Sequence, residues 1–156
     1  MRHLFKYLAV IVITFFTIPA FALDDAVNTG RFNNIAIDGY DTVAYFTESK
    51  PVKGNKKITA VWHDATWQFS SEENLALFNE NPEKYAAQYG GWCAYGMSNE
   101  ATVRIDPEAW HITDGKLYLN YSKSIQKKWL ADKMYRIEDA DLYYPEVTNV
   151  NTFSKN

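Results

Sequence analysis

The stretch TWQFSSEENLALFNENPEKYAAQYGGWCAYG, residues 66–96, changes from a strand pattern to a helix pattern and then reaches a pair of glycines. Residues 66–69 alternate between polar and apolar side chains, as a half-buried strand does. Ser70 and Glu73 then have the spacing of a capping box, which predicts that a helix begins at this point. This part of the chain therefore predicts short elements of mixed type.

The second half of the stretch predicts another short helix and a sharp turn. Asn81 and Pro82 are typical of a helix start, with Asn as the cap and Pro at the first helical position. Gly90 and Gly91 predict the end of that helix. One glycine is enough to end a helix, so the second indicates that another backbone or a ligand comes close to Gly91.

The remaining patterns predict strands, hairpins and helices of similar length. Asp114-Gly115 between two alternating runs is the strongest hairpin signal in the chain. A second tight turn is predicted at Asp64-Ala65, and Pro145 is expected to end the last helix. The elements together indicate an α+β fold, a small single domain with short antiparallel hairpins and several short helices. The further predicted strands are residues 42–46, 57–63, 110–113 and 116–119, and the further predicted helices are residues 122–133 and 137–144.

The first 22 residues have the three parts of a secretory signal peptide. Arg2 and Lys6 make the start positive, residues 8–16 are apolar, and Ala20-Phe21-Ala22 is a small-x-small cleavage site. The apolar run is short for a membrane span, which needs about 20 residues. We therefore expect cleavage near Ala22, a periplasmic or secreted protein, and no stable membrane anchor after cleavage.

The charge of the mature chain disfavours nucleic acid as a partner. The 16 basic residues of the full chain include Arg2 and Lys6, so 14 remain against 19 acidic residues, a formal charge of −5. Neutralising phosphates requires a basic face. The partner expected instead is a metal ion or a small ligand, and the sequence does not identify a protein partner.

Four segments together resemble secreted YHS-domain proteins. They are DGYDTVAYF at residues 38–46, the stretch at residues 66–96, DPEAW at residues 106–110, and DGKLYLNYSKSIQKKW at residues 114–129. The resemblance covers nearly all of the mature chain. It implies a YHS-like domain at residues 35–145. The polar composition of the flanking segments predicts a lead-in at residues 23–34 and a flexible tail at residues 146–156.

The wider YHS group implies a metal-related role, and one part of its pattern is missing here. Short members carry Phe-Cys-Ser-x-x-Cys-x-x-x-Phe before an Asn-Pro-x-x-Tyr element. This chain has the same frame from Phe69 to Phe78, but Ser70 and Asn74 stand where the cysteines would be. Neither side chain binds soft metals well, so the metal function does not carry over to these two positions.

The single cysteine of the chain, Cys93, is the centre of the first functional hypothesis. Cys93, Met97 and the histidines His63 and His111 form the inventory of a copper site, with a thiolate, imidazoles and a weak thioether. This predicts a non-enzymatic protein that binds or handles copper or another soft transition metal. No metal-ligand spacing such as CxxC supports it, and the alternative is that both histidines are partly exposed residues at strand ends.

The second hypothesis is a module that binds a small molecule or a protein. The segments around residues 38–46 and 88–93 are both typical of the secreted YHS subgroup, and they would meet to form one pocket. The alternative for the first segment is a turn in which the Asp side chains bind local backbone amides. The residues predicted to bind the ligand are Tyr40, Asp41, Tyr89, Gly90, Gly91 and Trp92.

The third hypothesis is a thiol-dependent enzyme with Cys93 as the nucleophile. A catalytic thiol needs a lowered pKa, from a base, a cation or a helix N-terminus. Two further alternatives are a buried core cysteine and an intermolecular disulfide. The three hypotheses give Cys93 different roles: a metal ligand in the first, a residue beside the ligand pocket in the second, and a nucleophile in the third.

Overall fold

The computed structural model describes residues 22–153. The predicted signal peptide therefore lies outside the described residues, except for its last alanine. In the part of the chain that is described, no helix is both long enough and apolar enough to cross a membrane. In chain order the elements are α1 (Ala44–Thr47), β1 (Asn55–Trp62), β2 (Ala65–Phe69), α2 (Glu72–Glu80), α3 (Pro82–Tyr85), α4 (Ala94–Met97), β3 (Asp106–Thr113), β4 (Lys116–Asn120), α5 (Lys123–Ala131) and α6 (Lys133–Val147).

The strands form two separate antiparallel hairpins, so the predicted α+β fold is confirmed. β1 pairs with β2 and β3 pairs with β4, each with one irregularity in its register. The turn between β3 and β4 is Asp114-Gly115, as predicted, because Thr113 pairs with Lys116. The first turn is His63-Asp64 and not Asp64-Ala65, because Trp62 pairs with Ala65. The hairpin turn there has positive φ at both central residues.

Two aromatic clusters form the core. The larger one lies under the first hairpin and contains Trp67, Phe69 and Phe78, each at most 1 % exposed. The second lies under α6 and contains Tyr118 and Trp129, whose ring centroids are 5.1 Å apart. Aromatic burial of this extent stabilises a small domain without a disulfide.

The segment predicted as the first strand, residues 42–46, forms a turn that leads into a helix. α1 begins at Ala44, and the Asp41 carboxylate accepts hydrogen bonds from the backbone N–H groups of Val43 and Ala44. A carboxylate that binds these amides satisfies donors that a helix start leaves free. This cap overrides the β-rich composition of the segment, so the strand prediction was wrong.

Side chains also cap α2 and α3. Ser71 caps α2 by accepting from the N–H of Asn74, so the predicted capping box of Ser70 and Glu73 does not form. Asn81 caps α3 with Pro82 at the first position, which confirms that prediction. The helix ends at Tyr85, before the glycine pair.

The last helix is longer than predicted, because α6 runs through Pro145 to Val147. Residues 146–153, expected to form a flexible tail, contain the end of α6 and a 3-10 helix, Asn149–Thr152. They also pair with the lead-in: Asp24 donates its N–H to Val147 O at 3.0 Å and accepts from the N–H of Asn149 at 2.9 Å. The lead-in and the tail are thus joined to the domain.

Candidate functional site

Cys93 lies at the start of α4, and its side chain is only 1 % exposed. Its sulfur accepts the backbone N–H of Gly96 at 3.4 Å and that of Tyr121 at 3.2 Å. The thiol also lies 3.8 Å from Asn120 Oδ1. The sulfur therefore caps α4 and links it to the end of β4, which is what a structural cysteine does.

The environment of Cys93 does not activate the thiol. Burial raises the pKa of Cys93, and the nearby backbone N–H groups of Gly96, Tyr121 and Tyr95 only partly oppose this increase. A nucleophilic thiol needs the opposite shift. Its hydrogen-bond partners include neither histidine, and its burial leaves no surface for an intermolecular disulfide.

Met97 and His111 belong to the second aromatic cluster. Met97 is fully buried together with Tyr118 and Trp129. His111 lies opposite Tyr118 in the second hairpin, with its ring centroid 6.1 Å from that of Trp129. Burial and the neighbouring Lys133 lower the pKa of His111. The two side chains contribute to packing in this cluster.

Within residues 22–153, no group of three or more His, Cys, Asp or Glu side chains is placed to hold a metal ion. Cys93, His63 and His111 therefore do not form such a group. A site made of Cys93, Met97 and one histidine stays a prediction. A metal at Cys93 would also displace the two backbone N–H groups that its sulfur accepts.

The Asp41 carboxylate is fully buried and accepts five hydrogen bonds. Oδ1 binds the N–H groups of Val43 and Ala44, at 2.9 and 3.2 Å. Oδ2 binds the N–H of Ser70 at 2.7 Å, the hydroxyl of Ser70 at 2.6 Å, and Nδ2 of Asn74 at 2.7 Å. Because donors already surround both oxygens, Asp41 is a structural residue and does not face a ligand.

The glycine pair packs against the protein itself. A Cβ on Gly91 would lie 2.2 Å from Cγ2 of Ile37, and one on Gly90 would lie 1.9 Å from the carbonyl oxygen of Ala26. Asn28 further donates from Nδ2 to Gly91 O at 3.0 Å. The close contact expected at Gly91 is therefore present, and side chains and backbone of this chain make it.

Two further predicted ligand residues, Tyr40 and Trp92, also contact the protein. Lys53 Nζ lies 4.4 Å above the ring of Tyr40, and Trp92 Nε1 donates to Asp25 O at 2.9 Å. Between the Tyr40–Asp41 segment and the Gly90–Cys93 segment, Ile37 packs against Gly91 and Asn28 binds its carbonyl oxygen. Three cavities of the described residues are lined by neither Tyr40 nor Asp41, but one of them is lined by Tyr89 and Gly90.

His63 lies where these cavities meet. It occupies the first hairpin turn with φ 49°, a backbone region that non-glycine residues rarely adopt. Its ring stacks between Trp62, at 3.6 Å between centroids, and Phe153, at 4.5 Å. The turn at the tip of β1 and the carboxyl-terminal segment are thereby held together.

Two adjoining cavities form one depression beside this stack, which we call the His63 groove. The larger cavity has a volume of about 940 Å³ and the smaller one about 170 Å³. They share Trp62, His63, Glu83 and Val150. The larger cavity is also lined by Glu80, Asn81, Pro82, Asn151, Thr152 and Phe153, and the smaller by Ala86, Ala87, Gln88, Tyr89, Gly90 and Tyr144.

The structure thus brings three of the predicted site residues together in the His63 groove. His63, Tyr89 and Gly90 line the smaller cavity, although they were assigned to two different sites in the sequence. A family model for the YHS domain matches residues 43–89, and this segment includes part of the groove lining. Residues 43–89 belong to a YHS domain. No match was found among curated proteins or among solved structures.

The matched part of the YHS domain includes one side of the groove and excludes the cysteine. Trp62, His63 and Glu83 lie within residues 43–89, whereas Cys93 follows the matched segment. The YHS match supports a metal-related domain and specifies no metal. Ser70 and Asn74 also lie within the matched segment. They stand where the family has its cysteine pair, and here both side chains donate hydrogen bonds to Asp41.

Several residues that line the groove were not predicted from the sequence. Glu80 and Glu83 flank the start of α3, and Phe153 comes from a segment interpreted as a tail. One signal in the sequence pointed to this site. The two strands are joined by His63 and Asp64, and a tight hairpin turn places such non-glycine residues in a strained conformation with positive φ. Strain of this kind is concentrated at functional sites.

Proposed function

We propose that this YHS domain is a non-enzymatic binding protein of the cell envelope whose ligand site is the His63 groove. One observation carries the proposal: two cavities adjoin at the His63 ring, which is itself held between Trp62 and Phe153. A groove of about 940 Å³ is within the usual size range of small-molecule sites. The signal-peptide pattern supports the envelope location.

The experiment is native mass spectrometry of the mature protein isolated from its own cell envelope, before and after denaturation. We expect a bound small molecule that is released on unfolding. Asn151→Trp places a large side chain in the groove from an exposed position, and it should abolish this binding while the fold is retained. Lys128→Trp on α5 is the matched control, since Lys128 is exposed and does not line the groove. A ligand retained equally by both variants would contradict the proposal.

Soft-metal handling at Cys93 is the second candidate, and the YHS match favours it. In this alternative, copper or a similar ion takes Cys93 and Met97 as ligands together with one histidine. The ion would have to open the turn that Cys93 caps. Titration with Cu(I) of the wild type and of Cys93→Ser distinguishes the candidates. Stoichiometric uptake that is lost in the variant would favour metal handling, whereas equal uptake would eliminate it.

A further inference from the structure

The charges around the His63 groove have one sign. Glu80 and Glu83 line the larger cavity, and Glu83 also lines the smaller one. On the other side of His63, a third cavity is lined by Asp25 and Asp64. Among the described residues, neither Lys nor Arg lines any of the three cavities.

The histidine does not offset these carboxylates at neutral pH. Burial lowers the pKa of His63, and Glu83 and Asp64 oppose this only in part. The ring is therefore neutral above its ordinary titration range. Lys84, the next residue after Glu83, is directed at Tyr85, with its Nζ 3.1 Å from the Tyr85 hydroxyl. The groove is thus electronegative.

The walls of the groove are apolar and aromatic. Trp62, Pro82, Val150 and Phe153 supply this surface next to the carboxylates. Within residues 22–153, no three His, Cys, Asp or Glu side chains are placed together to hold a metal ion. The complementary cation is therefore one that packs against rings and forms hydrogen bonds to carboxylates, as ammonium and guanidinium groups do.

We propose that the His63 groove binds an organic cation, a primary amine or guanidinium group carried on an apolar body. This inference rests on the proposed function, because it names the ligand class of the same site. The apolar body would lie along Trp62 and Phe153, and the cationic group would lie at Glu80 and Glu83. A free small molecule and the basic side chain of a peptide both offer this chemistry.

The test compares three probes of equal size by isothermal titration calorimetry at low salt: 2-phenylethylammonium, 2-phenylethanol and phenylacetate. We expect the cation to bind at least tenfold more tightly than the neutral alcohol, and the anion not to bind. Higher salt should weaken binding of the cation alone. A blocked Phe-Arg dipeptide is a further probe. If it binds tenfold more tightly than the amine, the cation comes from a peptide, and if it binds more weakly, the cation is a free small molecule.

A matched pair of variants tests the carboxylates. Glu80→Gln/Glu83→Gln removes two charges from the groove and should reduce the preference for the cation to less than threefold. Glu72→Gln/Glu73→Gln removes the same charge from exposed positions on α2 that do not line the groove, and it should leave the preference unchanged. Equal affinity of the wild type for cation and alcohol, or equal effects of both variants, would overturn the inference while the groove remains a binding site. If no probe binds and no ligand co-purifies, the proposed function itself fails.

Discussion

The carboxylate of Asp41 joins three parts of the chain. It caps α1 through Val43 and Ala44, and it holds Ser70 and Asn74 at the start of α2. It has no basic partner among its hydrogen-bond donors, so five donors alone stabilise the buried charge. Such a group is costly to alter, because each donor it releases is left buried without a partner.

Asp41→Asn should therefore destabilise the domain strongly although the two side chains have nearly the same shape. In either orientation of the Asn amide, its NH₂ group replaces one carboxylate oxygen. The donors that bound this oxygen then face another donor and lose their hydrogen bonds. We expect a loss of about 3 kcal/mol in the free energy of unfolding, measured by urea denaturation. Asp38→Asn is the control, since Asp38 is partly exposed and forms one ion pair with Arg104, and it should change stability by less than about 1 kcal/mol. Equal effects would show that the five hydrogen bonds are not important.

Ser70 and Asn74 show what can and cannot be predicted at the residue scale. Their identity in the YHS frame already indicated that the family's cysteine pair is missing. Their partner could not be identified, because Asp41 lies about 30 residues earlier and nothing in the local pattern links the two segments. Long-range hydrogen bonds of this kind depend on tertiary packing.

Cys93 should react only when the domain opens. Because its sulfur is buried and its pKa is raised, we expect iodoacetamide at pH 8 to modify the folded protein more slowly than the urea-unfolded protein, by a factor on the order of 100. The control is Ser124→Cys in a Cys93→Ser background, which presents a thiol at an exposed site on α5. If Cys93 reacts in the folded protein as rapidly as this control, the thiol is accessible and the enzyme hypothesis regains support.

At the scale of elements, the predictions succeeded where a signal was local. Asp114-Gly115 and Asn81-Pro82 determine a turn and a helix start by their own backbone preferences, and both are present. Residues 42–46 were predicted wrongly because a side chain three positions before α1 provides the cap. The end of α6 was placed too early, since one proline removes a single N–H and the helix continues for two more residues.

The glycine pair after α3 fixes the position of the neighbouring segments. Gly91 has φ 81° and lies against Ile37, which is completely buried. Gly91→Ala should cost about 3 kcal/mol, from the unfavourable backbone conformation together with the clash. Gly115→Ala separates the two causes, because Gly115 has φ 72° and no neighbour within 4 Å, and its cost should be about 1 kcal/mol. Thermal denaturation of both variants measures the difference in stability. Similar losses in the two variants would mean that the Ile37 side chain moves to make room for the new methyl group.

For the whole molecule, stability should depend on pH through the two described histidines. The pKa of His63 and that of His111 are both lowered below the ordinary value of 6.5, so the folded protein binds fewer protons than the unfolded chain. Their contribution is complete above pH 6.5 and is lost as the pH falls towards the folded pKa values.

His63→Asn tests this contribution, because Asn does not titrate and tolerates a positive φ. We expect the free energy of unfolding of the wild type to fall between pH 7.5 and 5.5, and the variant to lose part of that slope. The rest should disappear when His111→Gln is added. An unchanged slope in the double variant would assign the pH dependence to other groups.

The candidate site was harder to predict than the fold because residues distant in the sequence build it. His63 was among the predicted residues, but its neighbours Glu80, Glu83 and Phe153 come from two helices and the carboxyl-terminal segment. Cys93 was chosen as a site residue because it is the single cysteine of the sequence, but that fact does not indicate whether the side chain is buried. Convergence of segments at a groove is a property of tertiary structure.

The pairing of Asp24 with Thr148 has a consequence for the order in which the molecule is completed. The amide of Ala26 binds the side chain of Asn149, 123 positions later, so Asp24 and Ala26 lack these particular partners until residues 147–149 have been synthesised. A product that stops before residue 147 would lack these hydrogen bonds, so its first described residues would be held less firmly and would be more open to proteolysis.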